Sequence, residues 1–154
     1  PEMNESYVPF VIETSVGLDR MFLSVLSSAY TNEILEDGSE RVVLKIPPVL
    51  SPYKAAILPL IKKDGLPEKA REIMKDLQFD FNLQFDEKDS IGKRYRRQDA
   101  IGTPFSITID HQTLEDNMVT VRDRDTMLQQ RISVSEISSM IEKKASWKTI
   151  LSNL

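Results

Sequence analysis

Lys93, Arg94, Tyr95, Arg96 and Arg97 stand in one run, four cations around one aromatic, in a chain of 154 residues with a formal net charge of -4. A net-acidic protein repels a polyanion at long range. At physiological salt, however, exposed charges are screened beyond about 8 Å, so a gathered cluster acts by itself. Cations grip phosphates and a ring stacks on a base, so this mixture points to RNA. The competing reading is a solvated helix face, the usual fate of a charge run. Two features speak for a use: the charges share one sign, which costs a helix a few tenths of a kcal/mol per pair at about this spacing, and Tyr95 is embedded among them.

A second group is Arg122-Asp123-Arg124-Asp125, after Met118–Val121. In a continuing strand the period of two sets both arginines on one face and both aspartates on the other. Paired guanidiniums can hold a phosphate or read base edges with two bonds. The alternative is a turn with local ion pairs. A third group is Glu13-Thr-Ser-Val-Gly-Leu-Asp-Arg20. It reads as a strand end, a glycine that permits close backbone approach, and a helix start with an arginine in its first turn, a setting that favours anions. Such junctions are common, so alone the segment is a weak signal. His111 reads as a turn residue in a polar connector and Trp147 as a packing anchor for the C-terminal tail. The carboxylates form no convincing acid–base pair.

The elements that must position these residues follow from periodicity. Tyr7–Glu13 reads as a strand. Leu18, Met21, Phe22, Val25, Leu26 and Ala29 make one helical stripe. Residues 32–40 read as an acidic surface loop and Arg41–Ile46 as a strand closed by Pro47 and Pro48, which cannot donate to a ladder. A domain boundary is expected across Pro47–Pro52. Beyond it, Tyr53–Leu60 has the near-continuous apolar character of a strand covered on both faces. Pro67 opens a helix carrying Ala70, Ile73, Met74 and Leu77. Phe81, Leu83 and Phe85 alternate as a strand does. Ser90 is placed as N-cap of the basic helix. Phe105, Ile107 and Ile109 alternate again, Met118–Arg122 and Leu128–Ile132 read as hairpin arms, and Ser133 with Glu136 has capping-box spacing before a last helix with Ile137, Met140 and Ile141. The order β-α-β-α-β-β-β-α predicts an α/β fold, a mixed central sheet flanked by about three helices.

Composition narrows the field. With 40% apolar and 29% charged residues the chain is of ordinary globular make-up. It has no cysteine and one histidine, which excludes disulfides and thiolate metal sites and argues against a histidine-based metal or nucleophile site. No apolar run approaches the roughly 20 residues of a membrane span. The first residues, Pro-Glu-Met-Asn-Glu-Ser, carry neither the basic region nor the apolar core of an export signal and lack an initiator methionine. The expectation is a cytoplasmic piece of a longer chain.

Four segments together carry a family resemblance: Pro9-Phe-Val-Ile-Glu-Thr-Ser-Val-Gly-Leu-Asp-Arg20, Tyr53-Lys-Ala-Ala-Ile-Leu-Pro-Leu60, Ile91-Gly-Lys-Arg-Tyr-Arg-Arg-Gln-Asp-Ala-Ile-Gly-Thr-Pro-Phe105 and Val119-Thr-Val-Arg-Asp-Arg-Asp-Thr126. Over nearly its whole length the chain resembles the C-terminal part of the homodimeric, class II glycyl-tRNA synthetases; the third string is not shared by the related threonine, proline and histidine enzymes. The resemblance implies that residues 1–47 are the end of the catalytic domain, a strand–helix remnant with the third class-defining motif, and that residues 52–154 are the anticodon-binding domain. It assigns Glu13, Thr14, Ser15, Val16 and Gly17 to the glycine pocket, and Gly17, Leu18, Asp19 and Arg20 to ATP.

The first two class motifs are not in the sequence, so aminoacylation by this piece alone is not expected. ATP as substrate and Mg2+ are implied for the full-length enzyme, and no cofactor for the isolated domain. Implied partners are glycine tRNA, and, in the parent, glycine, ATP and a second subunit. Glycine codons imply two anticodon cytosines. Reading them calls for acceptors toward the amine and donors toward the ring carbonyl: Asp99 or Asp123 for the first, Arg97, Arg122 or Arg124 for the second. The implied anticodon surface therefore comprises Lys93, Arg94, Tyr95, Arg96, Arg97, Asp99, Arg122, Asp123 and Arg124. An accessory protein that reuses such a domain for RNA or protein contacts, and a stand-alone α/β domain without a nucleic-acid partner, are the alternatives.

Overall fold

The computed structural model describes residues 6–152; the stretch 1–5, read above for export signals, lies outside the described residues. A five-stranded mixed sheet is the centre: β3 (Ala55–Pro59), β4 (Leu83–Phe85), β5 (Phe105–Ile109), β6 (Met118–Asp123) and β7 (Gln129–Ser133), in the spatial order β4-β3-β5-β6-β7. The first three run parallel; β6 and β7 return antiparallel. Helix α2 (Leu66–Leu77) makes the crossover from β3 to β4 and α3 (Ile91–Ile101) that from β4 to β5. Helix α5 (Ile137–Ala145) follows β7, and a short α6 (Trp147–Leu151) follows it.

The two faces of the sheet differ, and the register shows how. Ala55, Ile57, Leu83, Phe105, Ile107, Ile109, Val119 and Val121 form one core with Leu66, Ala70, Ile73 and Leu77 of α2 and Ile137, Ile141 and Ala145 of α5. Each fully buried aliphatic side chain there contributes about 1.5–3 kcal/mol. Partners across the strands share a face. The pairings Ala56–Ser106, Ser106–Arg122 and Arg122–Gln129 define one row of the opposite face, and Leu58–Thr108, Thr108–Thr120 and Thr120–Arg131 a second. From β5 to β7 every member of these rows is polar. Helix α3 lies over this face: Tyr95 Oη is 2.7 Å from Thr108 Oγ1 and Gln98 donates to Gln84 at 3.0 Å.

Before the sheet come α1 (Leu18–Ala29) and an antiparallel hairpin of β1 (Tyr30–Ile34) and β2 (Glu40–Leu44). The hairpin leans on α3, whose C-cap Gly102 has φ +84° and lies so near the hairpin's exit that a Cβ there would sit 2.9 Å from Ile46 Cδ1 and 3.0 Å from the Leu44 carbonyl.

Several expectations need correction. Residues 6–17 take no regular structure, so Tyr7–Glu13 is not a strand; β-branched composition makes no ladder without a neighbouring strand, and none of the described strands pairs there. The expected loop at 32–40 is partly strand: Tyr30–Ile34 pairs with Glu40–Leu44, leaving 35–39 as the turn. Its polar sequence misleads because only one face of this hairpin is covered. His111–Asp116 is a helix, α4, not a connector, started by Asp110, whose Oδ1 accepts from Thr113 N at 2.9 Å while Thr113 Oγ1 caps Asp110 N. Trp147 is 56% exposed and does not anchor the tail. The stripe of α1 exists, but of its residues only Ala29 is buried.

Candidate nucleic-acid interface

Helix α3 sorts its cations by the partners that surrounding loops supply. Arg94 is buried: its Nη1 donates to the Pro59 carbonyl at 2.6 Å and its Nη2 to Leu60 at 3.0 Å, capping the end of β3. Burial pushes its pKa down. It does not share the solvated circumference expected of all four cations. Arg97 is held by Asp86 Oδ2 at 2.8 Å and Asp89 Oδ2 at 2.9 Å. The hydrogen bonds it donates to Asp86 in particular raise its pKa. Lys93 is exposed and Arg96 half-buried, and neither makes a salt bridge among the described residues; Arg96 keeps one Nη1 buried without a hydrogen-bond partner, and its charge adds to the Ser39 hydrogen bonds that lower the pKa of Asp37.

Asp99, fully buried, ties three elements together. Its Oδ1 accepts from Arg122 Nη1 at 2.8 Å, and its Oδ2 from Arg122 Nη2 at 3.1 Å and from Arg41 Nε at 2.8 Å. Arg41, on β2, also donates Nη1 to Glu33 at 2.8 Å and Nη2 to the Arg124 carbonyl. Burial opposes the Arg41 charge, but Asp99 and Glu33 together outweigh it and the pKa is raised. The Arg122 guanidinium lies over the Tyr95 ring, 4.9 Å from its centroid. This is one fork–fork pair, one shared carboxylate and one stacked ring, and it fixes the polar face where β6 passes α3.

Arg124 is buried too, with Nη1 on the Gly102 carbonyl and its fork on Asp125 at 2.8 and 2.9 Å. The strand ends at Asp123, so the alternation expected through Asp125 stops, and Arg124 with Asp125 is the local ion pair of a turn. Asp123 lies on the other face, with Oδ1 accepting from Asp125 N, Thr126 N and Thr126 Oγ1. Burial raises its pKa, the Thr126 bonds with Lys144 and the Asp125 backbone lower it more, and the net shift is downward.

Sequence reading did not single out Thr108, Thr120, Gln129 and Arg131, which complete the polar face beside Tyr95 and Arg122. Gln129 is exposed on the edge strand; Arg131 is held by Asp110 at 3.0 Å and Asp116 at 3.0 Å. The signal was in the pattern: a sheet covered by helices is apolar on both faces, whereas β5 and β6 alternate Ser106, Thr108, Thr120 and Arg122 with Phe, Ile and Val, and β7 is mostly polar.

Glu13, Thr14, Ser15, Val16, Gly17, Leu18, Asp19 and Arg20 are all exposed. Gly17 is the N-cap of α1, and an added Cβ would meet only Arg20 side-chain atoms at 3.9 and 4.0 Å. Of this segment Ser15, Val16, Gly17 and Arg20 line an open groove with Met21, Ser24 and Val25, and Glu13, Thr14, Leu18 and Asp19 do not. No cluster of acidic or histidine side chains suited to a metal occurs among the described residues, so they do not fit a Mg2+ site. No described helix is long and apolar enough to cross a membrane.

The domain is thus a mixed sheet with a helix-covered apolar face and a polar face over which the basic helix α3 lies. Residues 54–144 match the family model described as the anticodon binding domain, and the chain belongs to that family. It is 55% identical over 143 residues to the glycine–tRNA ligase of Macrococcus caseolyticus and 58% identical over 139 residues to that of Clostridium beijerinckii. These alignments take in 93% and 90% of this chain and 30% of each relative, so the chain spans about 30% of the length of the relatives it matches. In fold it is similar to the RNA binding domain of threonyl-tRNA synthetase from Cryptosporidium parvum, with a TM-score of 0.59 at 23% identity, over 66% of this chain and 26% of that one.

Proposed function

We propose that the chain recognises the anticodon of glycine tRNA as part of a cytoplasmic, homodimeric glycine–tRNA ligase, which joins glycine to its tRNA through a glycyl-adenylate made from ATP. The observation that carries the reading is Lys93, exposed and without a salt bridge among the described residues, with the half-buried Arg96 beside it on a helix that lies over the polar sheet face. Unpaired cations suit phosphates and the polar face suits unstacked bases.

The anticodon residues expected from sequence divide by availability. Lys93 and Arg96 take the phosphate backbone, with Arg97 at their side. Tyr95 borders the base site. Arg94, Asp99, Arg122 and Arg124, whose polar atoms are engaged internally, position the others, and Asp123 shapes the β6–β7 turn from the far face. The conclusion is tested by titrating the chain with glycine tRNA and with the same tRNA lacking both anticodon cytosines. Weaker binding of the second supports it, and equal binding contradicts it.

Residues 1–47 are assigned to the end of the catalytic domain and 52–154 to the anticodon-binding domain. Support comes from the change of architecture at Pro47–Pro52, the uncovered stripe of α1 and the short span of relatives covered. Glu13–Gly17 would face glycine, and Gly17–Arg20 ATP, the guanidinium supplying a flat face and phosphate donors. Fully exposed here, they leave the substrate in water, so the chain by itself is assigned no adenylate chemistry. Glycine-dependent pyrophosphate exchange by the purified chain would overturn that assignment.

A further inference from the structure

We infer that the acidic turn of the β1–β2 hairpin is a guard on the basic helix: the Asp37 carboxylate stands in for a phosphate at Arg96, and RNA must displace it to use that cation. The inference goes beyond the tRNA reading and rests on it in one respect, that RNA phosphates reach Arg96.

The hairpin follows one stripe of α3. Arg96, Asp99 and the C-cap Gly102 recur every three residues, so they lie on one side of the helix. At Gly102 an added Cβ would sit 3.0 Å from the Leu44 carbonyl. One step back, Asp99 Oδ2 accepts from Arg41 Nε at 2.8 Å. Leu44 and Arg41 are both on β2, and the chain before that strand is the turn, 35–39. The next step back along α3 is Arg96, which is half-buried yet makes no salt bridge among the described residues. Lys93, one step further, is exposed.

The turn holds its carboxylate in place. Leu35 N donates to the Ser39 carbonyl and Gly38 N to the Leu35 carbonyl, both at 2.9 Å, with Gly38 at φ +78°. Asp37 is exposed, and its Oδ1 accepts from Ser39 N at 2.9 Å. The Ser39 hydrogen bonds, with the Arg96 charge adding to them, keep this carboxyl below the usual carboxylate range. The two neighbouring arginines of the helix differ in commitment. Arg97 is bonded to Asp86 and Asp89 at 2.8 and 2.9 Å. Arg96 stands in the field of Asp37 without a salt bridge to it, and its Nη1 is buried with no hydrogen-bond partner. Such a cation is opposed by a charge and still able to change partner. The exchange costs every RNA alike, so it weakens unselective grip on phosphates and leaves discrimination to the base contacts.

The test is a charge-neutralisation cycle. Asp37→Asn keeps an oxygen that can accept from Ser39 N and removes the charge. It is titrated with glycine tRNA at low salt beside the wild type, Arg96→Gln, the double variant and Asp76→Asn, which neutralises an exposed carboxylate on α2, across the sheet from α3. Asp37→Asn is expected to bind about threefold more tightly than the wild type, the scale of one exposed ion pair. Asp76→Asn gains less than about 1.5-fold, as does Asp37→Asn when Arg96 is already glutamine. Equal gains in Asp37→Asn and Asp76→Asn, no gain in either, or the same gain with and without Arg96 would overturn the guard and leave the tRNA reading standing. A wild type that does not bind glycine tRNA would overturn both.

Discussion

Asp99 and Arg122 face each other as a two-pronged pair, Oδ1 to Nη1 at 2.8 Å and Oδ2 to Nη2 at 3.1 Å, with side chains only 1% and 7% exposed. The same carboxylate holds Arg41, 58 positions earlier, so the hairpin, the basic helix and strand β6 meet on one anion. Removing one member of a buried ionic group strands the others in low dielectric. Asp99→Ala therefore destabilises by about 3–5 kcal/mol. Chemical denaturation checks it, and a loss below about 1 kcal/mol would mean the pair is not buried as described.

Arg41 is coupled to Asp99 and not merely near it. In a double-mutant cycle of Arg41→Met and Asp99→Ala, the combined loss falls short of the sum of the single losses, because each substitution leaves the other's charge unpaired. Additive losses would show that the hairpin is not tied to α3 through this contact.

Gly102 ends α3 in the left-handed region and presses on the hairpin. Gly102→Ala adds backbone strain of about 1 kcal/mol and a methyl at 2.9 Å from Ile46, so it costs more than the roughly 0.5–1 kcal/mol that alanine gains elsewhere in helices. A lowered melting temperature is expected; an increase would refute the close approach.

Acid weakens this fold through identifiable carboxylates. Burial raises the pKa of Asp110, but the Thr113 backbone and hydroxyl donors and Arg131 lower it further, for a net downward shift. Glu33 is lowered chiefly by Lys45, with Arg41 adding to it. Each folded pKa lies below its unfolded value, near 4. Their contribution is complete above that value and is lost as pH falls through the depressed folded one. Urea midpoints should hold from pH 7 to 5 and drop below about pH 4, by less in Asp110→Asn. A midpoint that rises on acidification would contradict the sign.

Much of the fold was legible because its signals are local. The alternation in Phe105–Ile109, the stripe of α2 and the capping box of Ser133 and Glu136 each lie within a few residues and need no partner to be read. What failed depends on distance along the chain. Tyr30–Ile34 is a strand only because Glu40–Leu44 lies beside it, and Tyr7–Glu13 is not one because nothing pairs with it. In the same way the run at 93–97 shows its charges but not their fates. Arg94 turns inward to carbonyls 34 and 35 positions away, Arg96 is half-buried, and Lys93 stays exposed. The polar face was written in the strands, yet it becomes a surface only when the register sets Ser106 beside Arg122 and Arg122 beside Gln129.

The central claim is that tRNA is held at α3 and the neighbouring sheet face. Its most direct test is the salt dependence of glycine tRNA affinity for the wild-type chain and for Lys93→Glu with Arg96→Glu. Each phosphate contact adds about 0.7–0.9 to the slope of log affinity against log salt. The account predicts a steep slope for the wild type, and for the variant at least about tenfold weaker binding with a slope shallower by roughly 1.5. Equal affinities and equal slopes would place the RNA elsewhere on the molecule and contradict the account.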